Sequence, residues 1–233
     1  MVVKSKPKSS VVRVSNAIRE QIIEGKIPPG MRLVERRLRD EMKVSRPVVR
    51  EALFRLAQLR LIEIIPGAGA TVRLVSEAEV IDAYMFREAI EVAAAEQCTS
   101  RMNREEANQL LKIAALFQPE YINFSKGREH QLKRLEDEFH QGIIFGSRND
   151  HFKQAWEIAR LHLNLGSKSI PETIDSKVGR SSIVDEHMEI ATAIQKGDTE
   201  GAGRLMKAHI RRGRDSYLDL LRMRDHKPVS VPR

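Results

Sequence analysis

Cysteine is nearly absent: of 233 residues only Cys98 carries a thiol, so no disulfide can close within the chain. It falls among alanines in EVAAAEQCTS, the setting of a buried structural thiol and not of a reactive one. Aromatics are scarce at 5%, and residues 1–60 hold one, Phe54, so the first part lacks the apolar, aromatic side of a membrane-surface helix. No apolar run approaches a bilayer span, and the opening MVVKSKPKSSVVRVS has no apolar signal core. These absences point to the cytoplasm. Enzyme signatures are missing too: there is no HExxH helix, no GxSxG elbow and no Walker-type Gly-rich loop. A metal-dependent hydrolase is therefore disfavoured, and no repeat period implies a solenoid.

What is present is a globular composition, 41% hydrophobic and 31% charged, with charge divided unevenly. Residues 1–75 hold 16 Lys and Arg against 7 Asp and Glu; residues 76–233 hold 24 against 25. The formal +8 thus belongs to the first third. A basic module joined to a neutral one expects a polyanion at the first and a different task at the second.

The periodicity gives a mainly α chain. Residues 1–10 read as a flexible basic tail. Val14, Ala17, Ile18 and Ile22 mark a helix over 11–24, closed by Gly25 before IPPG. ERRLRDEM is a second short helix, and VSRPVVREALFRLAQL a third, with Ser45 as N-cap and Val49, Ala52, Leu53 and Leu56 inward. LIEII and TVRLV around PGAGA form a β-hairpin. Three helices and a hairpin make a winged helix-turn-helix over 11–75. From Ser76, in the capping box SEAE, only helices follow: through about 101, then 104–118, 124–147, 149–168, 181–196 and 198–224, with breaks at Pro119, Gly166 to Pro171 and Gly197-Asp198. These form an antiparallel bundle of about six helices over 76–224, before a tail at 225–233.

Arg46 and Arg50 stand one turn apart on the third helix, opposite its apolar stripe. A recognition helix needs this arrangement, since an arginine there reaches guanine O6 and N7 or a phosphate. Arg36 at the start of the second helix is placed to reach the same groove or its flanking phosphates, and Gly67 and Gly69 at the hairpin tip let backbone approach the sugar-phosphate edge.

Among seven histidines, His140 in RLEDEFHQGIIF raises the sharpest question. Glu136 lies four residues before it on the same helix face, beside the apolar stripe Leu135, Phe139, Ile143 and Ile144. A solvated face is one reading. The other adds His187 and His209, 22 residues apart across the break at Gly197-Asp198, which an antiparallel pair brings face to face. One acid and three imidazoles suit Zn²⁺, Ni²⁺ or Mn²⁺ and leave positions open for a ligand. Asp137 is the alternative carboxylate, though spacing favours Glu136.

The segment IPPGMRLVERRLRDEMKVSRPVVREALFRLAQLRLIEIIPGAGATV resembles the winged helix-turn-helix of the GntR superfamily of bacterial transcription regulators. The resemblance places Arg36, Arg46, Arg50 and Gly67 on operator-contacting positions, with Ser45 beside them. Pro47 stands one place earlier than the family's usual Thr-Pro order, so position 47 has no hydroxyl for a phosphate. Residues 76–233 resemble the FCD effector-binding domain of the FadR branch, and six helices rather than seven point to its VanR-like subgroup. EDEFH, EHMEIATAIQKGD and MKAHI occupy the places of its metal-binding version, with Glu136 where aspartate is usual. Arg87 in YMFREAIEVAAAE matches an arginine facing the ligand cavity, where it would hold the carboxylate of a small effector; pairing with Glu91 is the other role open to it. His162 and Asn164 in RLHLNLG are further cavity candidates. The expectation is a homodimeric regulator, most simply a repressor, reading an inverted repeat in double-stranded operator DNA and answering to a small carboxylate at a Zn, Ni or Mn site. A metal-free relative answering to an acyl-CoA is the alternative.

Overall fold

The computed structural model describes residues 7–66, 69–122, 129–167 and 180–225. The chain divides between Ser76 and Glu77 into two compact units. In the first, α1 (Pro7–Ile23), α2 (Glu35–Met42) and α3 (Arg46–Gln58) accompany strands β1 (Arg32–Leu33), β2 (Ile62–Ile65) and β3 (Gly69–Val72). Its sheet is antiparallel in the order β1-β3-β2, with Ile62 opposite Val72 and Arg32 opposite Thr71. The winged helix-turn-helix is present, with two corrections. Helix α1 begins at Pro7, so residues 7–10 are its first turn and not tail; proline suits a helix start because its missing N–H has no partner there anyway. The hairpin gains a third strand, β1, whose two residues are too few to show a period.

The turn IPPG delivers β1 to the sheet. Gly30, at φ +81°, donates its N–H to Val72 O at 2.8 Å, a left-handed backbone that glycine adopts without a Cβ penalty. Val14, Ile18, Ile22, Val49, Ala52 and Leu56 are fully buried, so the stripes read from spacing meet in one core with Leu61 and Ile62. Each of the valine, leucine and isoleucine side chains contributes about 1.5–3 kcal/mol on leaving water. This holds the opposite face of α3 outward.

The second unit is all helical among the described residues: α4 (Glu77–Arg101), α5 (Arg104–Ile122), α6 (Glu129–Gly146), α7 (Asp150–Ser167), α8 (Arg180–Lys196) and α9 (Thr199–Asp225). Helix α4 packs on α6 and α9, α5 on α6 and α8, and α8 on α9. The expected break at Pro119 does not occur, because α5 runs on to Ile122. Proline there forgoes one hydrogen bond in a last turn, so little helix depends on it.

The expected reversal at Gly197-Asp198 does occur. Gly197 turns left-handed at φ +74° and donates to Ile194 O, and Asp198 then caps α9 by accepting the Gly201 N–H on Oδ1 at 2.9 Å. The two-residue turn lays α9 back along α8.

Candidate metal centre and nucleic-acid interface

In the first unit, Ser45 occupies the N-cap of α3 with extended backbone (φ −78°, ψ 157°), but its hydroxyl makes no cap hydrogen bond. Arg46 and Arg50 project into solvent from the first two turns. Both reach back to one carboxylate: Glu35 Oε2 accepts Arg46 Nε at 2.9 Å, and Arg50 Nε lies 3.1 Å from each Glu35 oxygen. The hydrogen bond from Arg46 is the main cause that holds the Glu35 carboxyl below its ordinary range. Arg36, next along α2, is exposed, with no ion pair among the described residues. Gly67 lies outside the described residues; Gly69 opens β3 at φ +95°, a conformation that favours glycine.

In the second unit, three imidazoles and a carboxylate converge. Glu136 and His140 come from α6, His187 from α8 and His209 from α9, and one ligand atom from each lies within 4.8 Å of all the others. His140 is 2% exposed, so the solvated-face reading fails: Ile143 and Ile144, three and four residues on, draw it into the core. The α8–α9 reversal sets the His187 and His209 rings 4.6 Å apart. Phe117 of α5 stacks on His187 at 4.0 Å, Phe139 meets its edge, and Trp156 of α7 lies beside His140. Glu136, and not Asp137, joins the cluster, its Oε2 at 3.3 Å from His140 Nε2 and 3.5 Å from His187 Nε2.

Two carboxylates beyond this cluster, unforeseen in their roles, orient the rings. Glu91 of α4, fully buried, sits 2.5 Å from His140 Nδ1 and 2.5 Å from Arg87 Nε. Burial pushes its carboxyl up, but Arg87 and His140 outweigh that and hold it at about 2. Glu91 is therefore an acceptor, and His140 Nδ1 carries the proton. Glu186 of α8 plays the same part for His209, 2.9 Å from its Nδ1, and is itself paired with Arg212. Both Nε2 atoms are thereby turned inward, and they face each other at 3.2 Å.

Two lone pairs at that distance repel unless a positive charge, a proton or a metal ion, comes onto or between them. The electrostatics agree. Burial first, then repulsion from His187 and His140, hold His209 well below the usual imidazole range, so it is a neutral donor. For Glu136, burial acts upward, but His187 and His140 prevail and keep it ionised. For His140, burial acts downward, and Glu91 and Glu136 prevail, so the pocket draws positive charge to that ring. The donor set of three imidazoles, one ionised carboxylate and two carboxylates behind the rings fits a divalent transition metal.

Arg87, expected to face a ligand cavity, lies in α4 one turn before Glu91. It is 9% exposed, bound to Glu91, and flanked by the Tyr84 and Trp156 rings at 5.4 and 5.3 Å. The Arg87–Glu91 pairing open from the sequence is present, and it is buried. Asn164 and His162 lie on α7 beyond Ala159, outside the described side chains. Arg87 and Glu91 were visible as an i,i+4 pair, but no spacing links Glu91 to His140, 49 residues away.

Comparison with known proteins decides what the two units are. Residues 11–72 match the model of bacterial regulatory proteins of the gntR family, and residues 82–212 match the FCD domain. The chain belongs to the gntR family, in its FCD-domain form. A member of this family is a DNA-binding transcription regulator and not an enzyme; its head binds operator DNA and its FCD domain implies a small-molecule effector. An uncharacterised helix-turn-helix regulator of Streptomyces ambofaciens is 28% identical, covering 91% of this chain and 85% of its own. The repressor RspR of Escherichia coli is 26% identical over 85% of this chain and 84% of its own. A GntR-type regulator from Rhodococcus sp. RHA1 shares the fold, at TM-score 0.72 and 22% identity, over 91% of this chain and 98% of that one. Among the described residues no helix is long and apolar enough to cross a membrane.

Proposed function

We propose that this GntR regulator is a homodimeric, cytoplasmic repressor whose hold on an inverted-repeat operator answers to a small carboxylate bound at a metal centre. Glu136, His140, His187 and His209 would hold the metal, a zinc, nickel or manganese ion. The observation that carries this is the inward-facing pair of Nε2 atoms on His140 and His209, each fixed by a carboxylate on its Nδ1. When bound, the cation supplies a Lewis-acid anchor for an effector oxygen.

The chain's own residues give the rest. Arg87 is joined to the cluster by its ion pair with Glu91, so an effector carboxylate competes with Glu91 for the guanidinium. A ligand that engages Arg87 thereby changes what holds His140 on α6, and to switch the protein it must bind one bundle arrangement better than another. Arg36, Ser45, Arg46, Arg50 and the wing at Gly67 are assigned to DNA, and two heads related by a two-fold axis meet the two halves of the operator. A metal-free pocket for an acyl-CoA fits less well, because three imidazoles and an ionised carboxylate offer nothing to an apolar chain.

Metal analysis of the purified protein tests the reading. One equivalent of transition metal per chain is expected, falling below a tenth in His187→Ala and His209→Ala variants that keep their helix content. Wild-type protein that stays metal-free after incubation with zinc, nickel and manganese would refute the centre.

A further inference from the structure

The contact between Glu35 and the two arginines of α3 asks for an explanation that fold stability does not supply. Arg46 and Arg50 have side chains 64% and 60% exposed, and ion pairs of that kind add little to a fold. Yet Glu35, the first residue of α2, spans both, taking Nε of Arg46 on one oxygen and Nε of Arg50 across the two. We infer that Glu35 is a positioning residue for DNA reading, a clasp that fixes which edge each guanidinium presents to the bases.

The chemistry follows from the donor count. A guanidinium carries five N–H donors, and a bidentate contact to guanine O6 and N7 uses two neighbouring ones. With Nε held by Glu35, the pair left facing outward is Nη1 and Nη2 on both arginines. Two long side chains that would otherwise sample many rotamers are thereby held in one register a helical turn apart, before any DNA arrives. The carboxylate also cancels one of the two positive charges, which lowers attraction to phosphates of any sequence. Both effects raise discrimination at the expense of indiscriminate affinity.

The inference rests on Arg46 and Arg50 as the base readers, and the test separates the two. Full-length wild type, Glu35→Gln and Glu35→Asp are each used to select from a random duplex library, then titrated against the enriched and a scrambled duplex over a range of salt. Aspartate keeps the charge and the first-turn acid of α2, but one methylene less leaves it too short to span both arginines. Both variants are expected to lose at least tenfold in discrimination and to enrich a consensus degenerate at the positions read by α3. Glu35→Gln alone is expected to bind the scrambled duplex threefold or more tighter, with a salt dependence steeper by about one. A wild-type consensus and discrimination in both variants would overturn the clasp, as would Glu35→Asp behaving as wild type, since charge alone would then suffice. If the wild type enriches no sequence, or Arg46→Ala with Arg50→Ala enriches the same one, the assignment of the readers falls and the clasp with it.

Discussion

His140 and His209 point Nε2 at Nε2 across 3.2 Å, each with its Nδ1 against a carboxylate from a different helix. Three helices, α6, α8 and α9, therefore depend on what lies between the rings. A cation that binds the folded site and not the unfolded chain stabilises by an amount set by its excess over Kd, about 2.7 kcal/mol at a hundredfold excess. For a unit of this size that raises Tm by roughly 5–10 °C. Protein stripped with a chelator is expected to regain this shift with zinc or nickel, and His209→Ala is expected to show none of it.

Glu91→Gln probes the link from Arg87 to His140 without changing shape. It leaves the Arg87 charge buried and unpaired, a loss of about 3–5 kcal/mol. Metal affinity should fall some 10–100-fold as well, because His140 loses the acceptor that orients it. The pH sign is definite. A carboxyl held at about 2 when folded, against an ordinary 4.5, contributes stability that is present above the ordinary value and lost as pH falls through about 2. Acid unfolding curves of the two proteins should therefore converge at low pH and separate above pH 4.5.

Cys98 offers a check on the bundle core. Its thiol donates to Ile143 O at 3.0 Å, and burial, aided by the Glu106 charge, pushes it up to about 12. The thiolate, which is the reactive form, is thus suppressed in the folded protein. An alkylating reagent at pH 8 should leave Cys98 unmodified for as long as the bundle holds, and label it within minutes in guanidinium chloride. Labelling of the folded protein at the denatured rate would contradict the packing of α4 against α6.

Much of this arrangement is legible in the residues. Stripes such as Val49, Ala52, Leu53 and Leu56 declare their buried faces because a helix repeats every 3.6 residues. Gly197 and Asp198 announce a reversal because one permits a left-handed turn and the other caps a helix, and that reversal brings His187 to His209. What spacing hides is any contact between elements distant in sequence. Arg87 and Glu91 look the same as a pair whether water or His140 lies beyond them, and the bond between Glu35 and Arg50 needs the angle between α2 and α3. Strand β1 escapes for another reason: two residues pair only because β3 is already there.

The arginines of the head separate two kinds of contact that one binding curve confuses. An arginine on a phosphate adds about 0.9 to the slope of log affinity against log salt, and its loss weakens all sequences alike. An arginine bidentate to guanine instead discriminates by about 1–3 kcal/mol at one base pair. Arg46 and Arg50 leave the N-terminal turns of α3 with Nε of each on Glu35, and the proposed function makes them the base readers. Arg36 lies on α2, and the role proposed for it is a flanking phosphate. Arg36→Ala should therefore weaken specific and scrambled duplexes equally, and flatten the salt slope by about one. Arg50→Ala should lose roughly 5–150-fold on the specific duplex alone, relaxing preference at a single position. Equal loss on both duplexes for Arg50→Ala would place that arginine on the backbone instead.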